Sequence, residues 1–236
     1  PHSLCIAKKQ LVVIDNNNLN IQYFDSLGKF IKSHKTFKAY FYMASDPQGR
    51  IYAVPLITQP DSLLVDVFNE EGRYESSIIE PYRVKAQLLT ANMARLDVDS
   101  KGELILAFEN MPLVRKYSPK GELLKEWKIE NDIFKERAKF NMERFSGKIN
   151  DSRSQPVIYG IRASSKGGFY ILHNYPRTQI MEFDEQGQLV NDFWYAKSRS
   201  YNACDFAVNE KSGNIFLLQR TPEAKIDVFR PKKYYL

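Results

Sequence analysis

Two short sequence patterns alternate along nearly the whole chain, and they constrain its fold more than any other feature. One is a glycine followed after one further residue by an apolar run, and the other is apolar-x-x-aromatic-x-x-x-Gly. The first pattern begins at Gly49, Gly102, Gly167 and Gly213. The second ends at Gly28, Gly72, Gly121 and Gly187, and a further copy begins at Ile226. The first repeat departs from the pattern, since Lys9 stands where its first glycine is expected.

Each repeat divides into four short apolar segments that are bounded by turn residues. In the third repeat these segments are Met93 to Val98, Leu104 to Phe108, Val114 to Tyr117 and Glu122 to Ile129. Such segments predict β-strands, and a glycine shortly after Asp or Ser predicts a tight turn between them. A four-stranded antiparallel unit that is apolar on both faces needs a neighbour on each side. Radial packing of the units around an axis provides these neighbours.

The spacing of the repeats therefore predicts an all-β fold, a β-propeller of four-stranded blades that forms one domain over residues 1–236. Gly28, Gly72 and Gly121 are separated by roughly 45 to 50 residues, the length of one propeller blade. The next interval is longer because of an insertion at residues 131–156. Within it, Asp132 to Phe145 contains no Gly or Pro and has the periodicity of a short helix.

The composition excludes several classes of protein. A chain with 43% hydrophobic and 26% charged residues is an ordinary globular protein rather than a disordered one. No apolar run approaches the roughly 20 residues of a membrane-spanning helix. Cys5 and Cys204 are too few for a disulfide framework and lack the clustering of a zinc site, so we expect buried free thiols. The formal charge of +6 predicts a modest attraction to polyanions.

The combined pattern, Asp-x-x-Gly-x-apolar-Tyr followed by Val-x-x-Phe-x-x-x-Gly, resembles the NHL repeat and its relatives among bacterial six-bladed β-propellers. The resemblance covers essentially the whole chain and implies the fold rather than an activity, because such propellers include interaction modules, RNA-binding domains, lyases and hydrolases. Five repeats are visible where the family has six. A six-bladed ring that lacks an upstream blade is favoured, and a five-bladed ring stays open. The resemblance also favours an exported location, in the periplasm or at the cell surface.

The loops between the second and third strands, and the links between blades, are expected on the face opposite the glycine turns. We call these two sides the loop face and the turn face. Loops that are positioned by a rigid scaffold commonly contain the binding and catalytic residues. The loop face is predicted to carry basic and aromatic residues that suit a protein partner, or the phosphates and bases of RNA. The predicted binding residues are Lys35, Arg83, Lys85, Asn174, Tyr175, Arg177, Arg199 and Arg220.

A catalytic site has weaker support in the sequence. Asp97 and Asp205 belong to the innermost strands, near the channel axis, and His173 opens a loop and is the best single candidate for a general base. Three histidines are too few for a multi-histidine metal site, and no metal site is predicted. Calcium is the one ion that the carboxylates could hold. No nucleophile elbow, phosphate-binding loop or HExxH motif is present.

These observations lead to a main hypothesis and two alternatives. The main hypothesis is a non-catalytic β-propeller that binds a protein, or another macromolecule, through its loop face. The first alternative is a metal-assisted lyase or hydrolase at the channel mouth, near Asp97, Asp205 and His173. The second alternative is RNA binding by the basic loop face, with an affinity that falls steeply as salt rises.

Overall fold

A computed structural model of the chain describes residues 3–59, 61–151, 153–195, 203–220 and 224–230. Its strands form five antiparallel sheets, each with its strands in sequence order from the channel outward. The first four sheets have four strands each, and the fifth has three within these residues. The strands that start each sheet lie side by side around a central channel. The predicted propeller is confirmed, with five blades.

The bounds of the elements follow the repeats closely. Blade 1 contains β1 (Ser3–Ala7), β2 (Gln10–Asp15), β3 (Asn20–Phe24) and β4 (Phe30–Lys35). Blade 2 contains β5 (Tyr40–Ser45), β6 (Ile51–Pro55), β7 (Val65–Phe68) and β8 (Tyr74–Ile78), and it is followed by a short helix, α1 (Leu88–Ala91). Blade 3 contains β9 (Ala94–Val98), β10 (Leu104–Phe108), β11 (Leu113–Tyr117) and β12 (Leu123–Lys128), and it is followed by α2 (Asp132–Phe145). Blade 4 contains β13 (Gly160–Ala163), β14 (Phe169–His173), β15 (Gln179–Phe183) and β16 (Leu189–Trp194), and blade 5 contains β17 (Ala203–Asn209), β18 (Asn214–Gln219) and β19 (Lys225–Phe229).

The glycines of both patterns close tight turns on the turn face. In the turn between β5 and β6, the Gly49 N–H donates to the Asp46 carbonyl at 3.0 Å, and the Arg50 N–H donates to the Asp46 carboxylate at 2.9 Å. Gly49 has a φ of 87°, which glycine adopts without the steric cost that a side chain would bring. Lys9, in the position of the missing glycine, adopts the same left-handed conformation with a φ of 67°.

The core lies in the seams between blades, because alternate residues of each strand face opposite neighbours. In β10, Leu104 and Leu106 pack in the seam with blade 2, whereas Ile105 and Ala107 pack in the seam with blade 4. All four side chains are fully buried. This two-sided burial accounts for the nearly continuous apolar runs that start after each glycine.

The two blades at the ends of the arc each have one apolar face that no other blade of the described residues covers. On blade 1 this face carries Leu4 and Ile6, each 63% exposed. On blade 5 it carries Leu218, Ile226 and Val228, which are also exposed. We call these two surfaces the end faces.

The insertion forms the predicted helix, with the bounds expected for it. The Asn131 side chain accepts a hydrogen bond from the Ile133 N–H at 3.0 Å and caps the start of α2. Phe134 and Phe145 anchor α2 in two different seams, those of blades 3 and 4 and of blades 2 and 3. The short helix α1 lies in the link between blades 2 and 3, where the sequence pattern predicts no helix. Neither helix of the described residues is long and apolar enough to cross a membrane.

Candidate active site

The centre of the ring holds a cavity of about 240 Å³ that is lined by all five innermost strands. Its lining contains four charged side chains: Arg95 and Asp97 from β9, Arg162 from β13 and Asp205 from β17. These residues stand at alternate positions of the innermost strands, as the sequence predicted for Asp97 and Asp205. The ring thus brings together two carboxylates and two guanidinium groups from three blades.

The surroundings of Asp97 change the pKa of its carboxyl group. One of its oxygens accepts a hydrogen bond from the Ala163 N–H of the neighbouring blade at 2.8 Å. Burial raises the pKa of Asp97, and the nearby Arg162 charge and two backbone N–H groups only partly offset this effect. A carboxyl group with a raised pKa can hold a proton closer to neutral pH, which is the property that a general acid needs.

Arg162 links blades 4 and 5 beside this carboxyl group. Its guanidinium donates to the Asp205 carboxylate at 2.6 Å and to the Ile161 carbonyl at 2.6 Å, and it lies over the Phe206 ring. Arg162 is only partly exposed, so its position is fixed by these contacts rather than by solvent. The fixed guanidinium beside Asp97 is suited to stabilise negative charge that develops on a bound molecule.

Arg95 lies in the same channel, nearer the loop face than Asp97. Its Nε is 2.6 Å from a carboxylate oxygen of Glu109, and its guanidinium lies 4.0 Å from the centre of the Tyr42 ring. A third contact, of 3.5 Å, reaches the Cys204 carbonyl of blade 5. Burial raises the pKa of Tyr42, so its hydroxyl stays protonated. Arg95 therefore bridges blades 2, 3 and 5 across the channel.

Cys5 also lines the cavity, but it is a poor nucleophile. Burial raises the pKa of its thiol to about 12, which removes the thiolate at neutral pH. Both cysteines are free and partly buried, in agreement with the expectation of unpaired thiols.

His173 does not belong to this site. It is fully buried at the end of β14, and its ring packs against Phe134 of α2. Both ring nitrogens face backbone carbonyl oxygens, those of Val157 and Tyr175. Both nitrogens are thus engaged with the backbone and the ring is buried away from the channel cavity, which disfavours the predicted role of His173 as a general base. The adjacent Asn174 is also buried, and its amide donates to the Ala203 carbonyl, which gives it a structural contact instead of a free binding group.

The other predicted binding residues are exposed and lie away from the channel cavity. Lys35 donates to the Asn18 carbonyl at 3.1 Å, while Tyr175 lies under Arg137 and Arg177 lies over Trp194. Arg83, Lys85 and Arg220 are exposed, and Arg199 lies outside the described residues. Their role in binding a partner or RNA stays a prediction.

The donor groups of the cavity do not fit a metal ion. Within the described ranges, no three His, Cys, Asp or Glu side chains come together as metal ligands would. Asp205 already accepts from Arg162, and Asp97 accepts from a backbone N–H. A calcium site needs six to eight oxygen ligands, and two guanidinium groups close by would repel the ion. Metal assistance at this cavity therefore finds no support in its residues.

Comparison with solved structures supports the propeller fold. No protein-family model and no curated protein matches the sequence, so the relation to NHL repeats stays a prediction. Among solved structures, a streptogramin B lyase has a TM-score of 0.60 at 10% identity, with 99% of this chain and 69% of the lyase covered. Virginiamycin B lyase from Staphylococcus aureus has a TM-score of 0.58 at 11% identity, covering 98% and 69%. The glutaminyl cyclase of Myxococcus xanthus has a TM-score of 0.54 at 15% identity, covering 97% and 90%.

These similarities correct the main functional hypothesis. The sequence favoured a non-catalytic binding platform because it contains no catalytic motif. The similar structures include lyases and a cyclase, so the main hypothesis of a non-catalytic protein is not supported and the enzymatic alternative fits them better. At these identities the similarity itself shows the fold alone, and the chemistry has to be argued from the cavity.

Proposed function

We propose that the chain forms the catalytic ring of a lyase or hydrolase, with Asp97 as its proton-transferring group. The observation that carries the proposal is that Asp97, a buried carboxyl group of raised pKa, and the Arg162 guanidinium line the same cavity at the centre of the ring. Perturbed carboxyl groups in a cavity are typical of acid and base catalysts. The enzymatic activities of propellers with similar folds agree with this choice.

Asp97, Arg162 and Asp205 have different roles in the proposed reaction. In an elimination a proton passes from a substrate carbon to solvent, and in a hydrolysis water attacks and loses a proton to solvent. In both reactions the leaving group departs with an electron pair and takes up a proton, which protonated Asp97 would supply. A neighbouring oxygen of the substrate gains negative charge at the same time, and Arg162 would stabilise it. Asp205 holds the Arg162 guanidinium in place through the contact of 2.6 Å.

The test is a search for turnover followed by substitution of Asp97. The first substrates would be quinupristin, which the staphylococcal lyase binds, a glutaminyl peptide and simple esters, with the products identified by mass spectrometry. We expect Asp97→Asn to lower turnover at least about 100-fold, because the amide cannot transfer the proton. Asp61→Asn, an exposed change on the surface, is the matched control. Turnover that persists unchanged in Asp97→Asn would contradict the assignment.

We also propose that a sixth blade completes the ring between blades 1 and 5. The support comes from the end faces, since the corresponding faces of blades 2, 3 and 4 pack against neighbouring blades and are largely buried. Leu4, Ile6, Ile226 and Val228 are instead more than half exposed. Their apolar surfaces fit another sheet that is apolar on both sides.

A further inference from the structure

The two oxygens of the Asp205 carboxylate have different surroundings. Oδ1 accepts hydrogen bonds from the Arg162 guanidinium at 2.6 Å and from the Phe206 N–H at 2.8 Å. Among the described residues, no side chain and no backbone N–H donates a hydrogen bond to Oδ2. The Asp205 side chain lines the cavity at the centre of the ring and is 44% exposed. One oxygen therefore anchors the carboxylate, and the other is open to a molecule bound in the cavity.

Asp205 and Asp97 share this cavity but are suited to opposite tasks. The Arg162 guanidinium gives the Asp205 carboxylate a counter-ion, and the exposed part of the side chain is solvated. At Asp97, burial raises the pKa, and the negative charge of Asp205 raises it further. Two carboxyl groups in one cavity whose surroundings differ in this way are typical of a catalytic acid paired with a catalytic base.

The other titratable side chains at the cavity are poor proton acceptors. Burial raises the pKa of the Cys5 thiol to about 12 and also raises the pKa of the Tyr42 hydroxyl, so both groups keep their protons at neutral pH. Arg95 and Arg162 stay charged and have no acceptor atom. Among the described residues that line the cavity, Asp205 is therefore the group that can take up a proton.

We propose that Asp205 is the general base of the reaction and that its Oδ2 takes up the proton that a substrate carbon or an attacking water gives up on its way to solvent. This inference rests on the proposed function, in which Asp97 protonates the leaving group. It gives Asp205 a direct role in the chemistry, in addition to its contact with Arg162.

The protons and electrons balance in both reactions. In an elimination, the C–H proton passes to Asp205, the electron pair of that bond forms the double bond, and the leaving group departs with its own bonding pair and takes the Asp97 proton. In a hydrolysis, water bonds to the substrate and gives one proton to Asp205, and the leaving group again takes the Asp97 proton. Each turnover leaves Asp205 protonated and Asp97 ionised, and proton exchange with solvent restores both.

The test uses 5-nitrobenzisoxazole, a small probe whose elimination needs a base but no acid. Removal of its ring C–H proton forms a nitrile and breaks the N–O bond, and the product is a coloured nitrophenolate that is stable as an anion. The rate with the full 236-residue chain therefore reports on Asp205 without requiring the proton of Asp97. The natural substrate does not have to be known.

We expect the wild type to accelerate this elimination above the rate in buffer, and Asp205→Asn to lower the acceleration at least about tenfold, since an amide cannot take up the proton. The amide oxygen can still accept from Arg162 and from the Phe206 N–H, so the anchoring contacts are kept. Asp205→Glu, which keeps a carboxylate, should retain more of the rate than Asp205→Asn. Asp97→Asn should change the rate less than about threefold, because the leaving group needs no proton.

Asp61→Asn is the matched control and should leave the rate unchanged. Circular dichroism checks that each variant is folded. If Asp205→Asn does not fold, the double variant Arg162→Met, Asp205→Ala replaces it and is compared with Arg162→Met, since removal of both partners leaves no unpaired charge.

Three results would overturn the proposal. No acceleration by the wild type would show that Oδ2 is not open to a small molecule. Equal acceleration by the wild type and by folded Asp205→Asn would place the base elsewhere. A loss in Asp97→Asn but not in Asp205→Asn would make Asp97 the base. Because the probe needs no acid, a failure of Asp205 in this test is distinct from a failure of Asp97 in the turnover test.

Discussion

The sequence around His173 suggests a catalytic residue, whereas its surroundings in the fold show a residue that packs in the core. It sits under α2, between Phe134 and Tyr159, with both ring nitrogens directed at backbone carbonyls. Burial lowers its pKa below the ordinary value of 6.5, and the two carbonyl oxygens only partly offset this effect. The folded state therefore favours the neutral ring, whereas the unfolded chain takes up a proton at the ordinary pKa.

This difference predicts how His173 affects stability. Its contribution to the free energy of unfolding should be fully present above pH 6.5 and should decline as the pH falls below that value, since the unfolded state then binds more protons. His173→Ala should lower the free energy of unfolding at pH 7.5 by about 2 to 4 kcal/mol, because it leaves a cavity and removes the one N–H that the neutral ring donates to a backbone carbonyl. This decrease in the free energy of unfolding should be smaller at pH 5.5.

Urea unfolding of both proteins at the two pH values measures this effect. Turnover per folded molecule should stay within a few-fold of the wild type, because His173 lies outside the channel cavity. A large loss of turnover with no loss of stability would restore His173 as a catalytic base.

At the level of elements, the insertion is tied to the propeller through polar contacts as well as apolar ones. Asn141 of α2 is fully buried, and its amide donates to the Asn110 carbonyl at 3.0 Å and to the Gln155 carbonyl at 2.8 Å. It therefore joins the helix, the loop after β10 and the segment that leads to β13. Polar groups that are buried in this way are costly when their partner is removed.

Asn141→Ala should lower the free energy of unfolding by about 1 to 3 kcal/mol, since two buried carbonyls lose their donor. Lys139→Ala, an exposed change on the same helix, should shift it by less than about 0.5 kcal/mol. Denaturant titration gives both values, and hydrogen exchange should show faster opening of α2 in the first variant only. Equal effects of the two substitutions would mean that the buried amide does not hold the insertion in place.

The whole molecule is an arc of blades whose seams are buried and whose end faces are not. Each seam is filled from both sides by alternate strand residues, so every blade depends on its neighbours. The end faces lack that neighbour, and exposed apolar patches on a protein surface are typical of surfaces that bind another element.

The exposed state of the end faces can be measured in the 236-residue chain. The chain should bind the dye ANS, and the double variant Ile6→Lys, Ile226→Lys should bind less of it without a loss of stability above about 1 kcal/mol, since both side chains already face solvent. Leu104→Ala, in a buried seam, should cost about 2 to 5 kcal/mol. A similar cost for the lysine variant would show that the end faces are packed in solution and would remove the support for a sixth blade.

The architecture can be predicted from the sequence, because local signals that specify a blade recur in each repeat. Glycines at positions of positive φ, Asp or Ser at the start of turns and apolar strands specify each blade. The helix from Asp132 to Phe145 was predictable for the same reason, since its periodicity and its lack of Gly and Pro are local. Asp97 and Asp205 could be assigned to the channel from their place on the innermost strands.

Which of these residues lie together depends on the packing of the blades in three dimensions. Residues that are far apart in the chain meet at the centre of the ring, where burial and the Arg162 charge set the acidity of Asp97. The same packing gives His173 and Asn174 structural contacts, because it surrounds their side chains with backbone groups. It also brings Arg95, Tyr42 and Glu109 into contact, and no local sequence pattern predicts this contact. Burial, electrostatic coupling and convergence depend on contacts between blades, and a single sequence does not encode those contacts in any local motif.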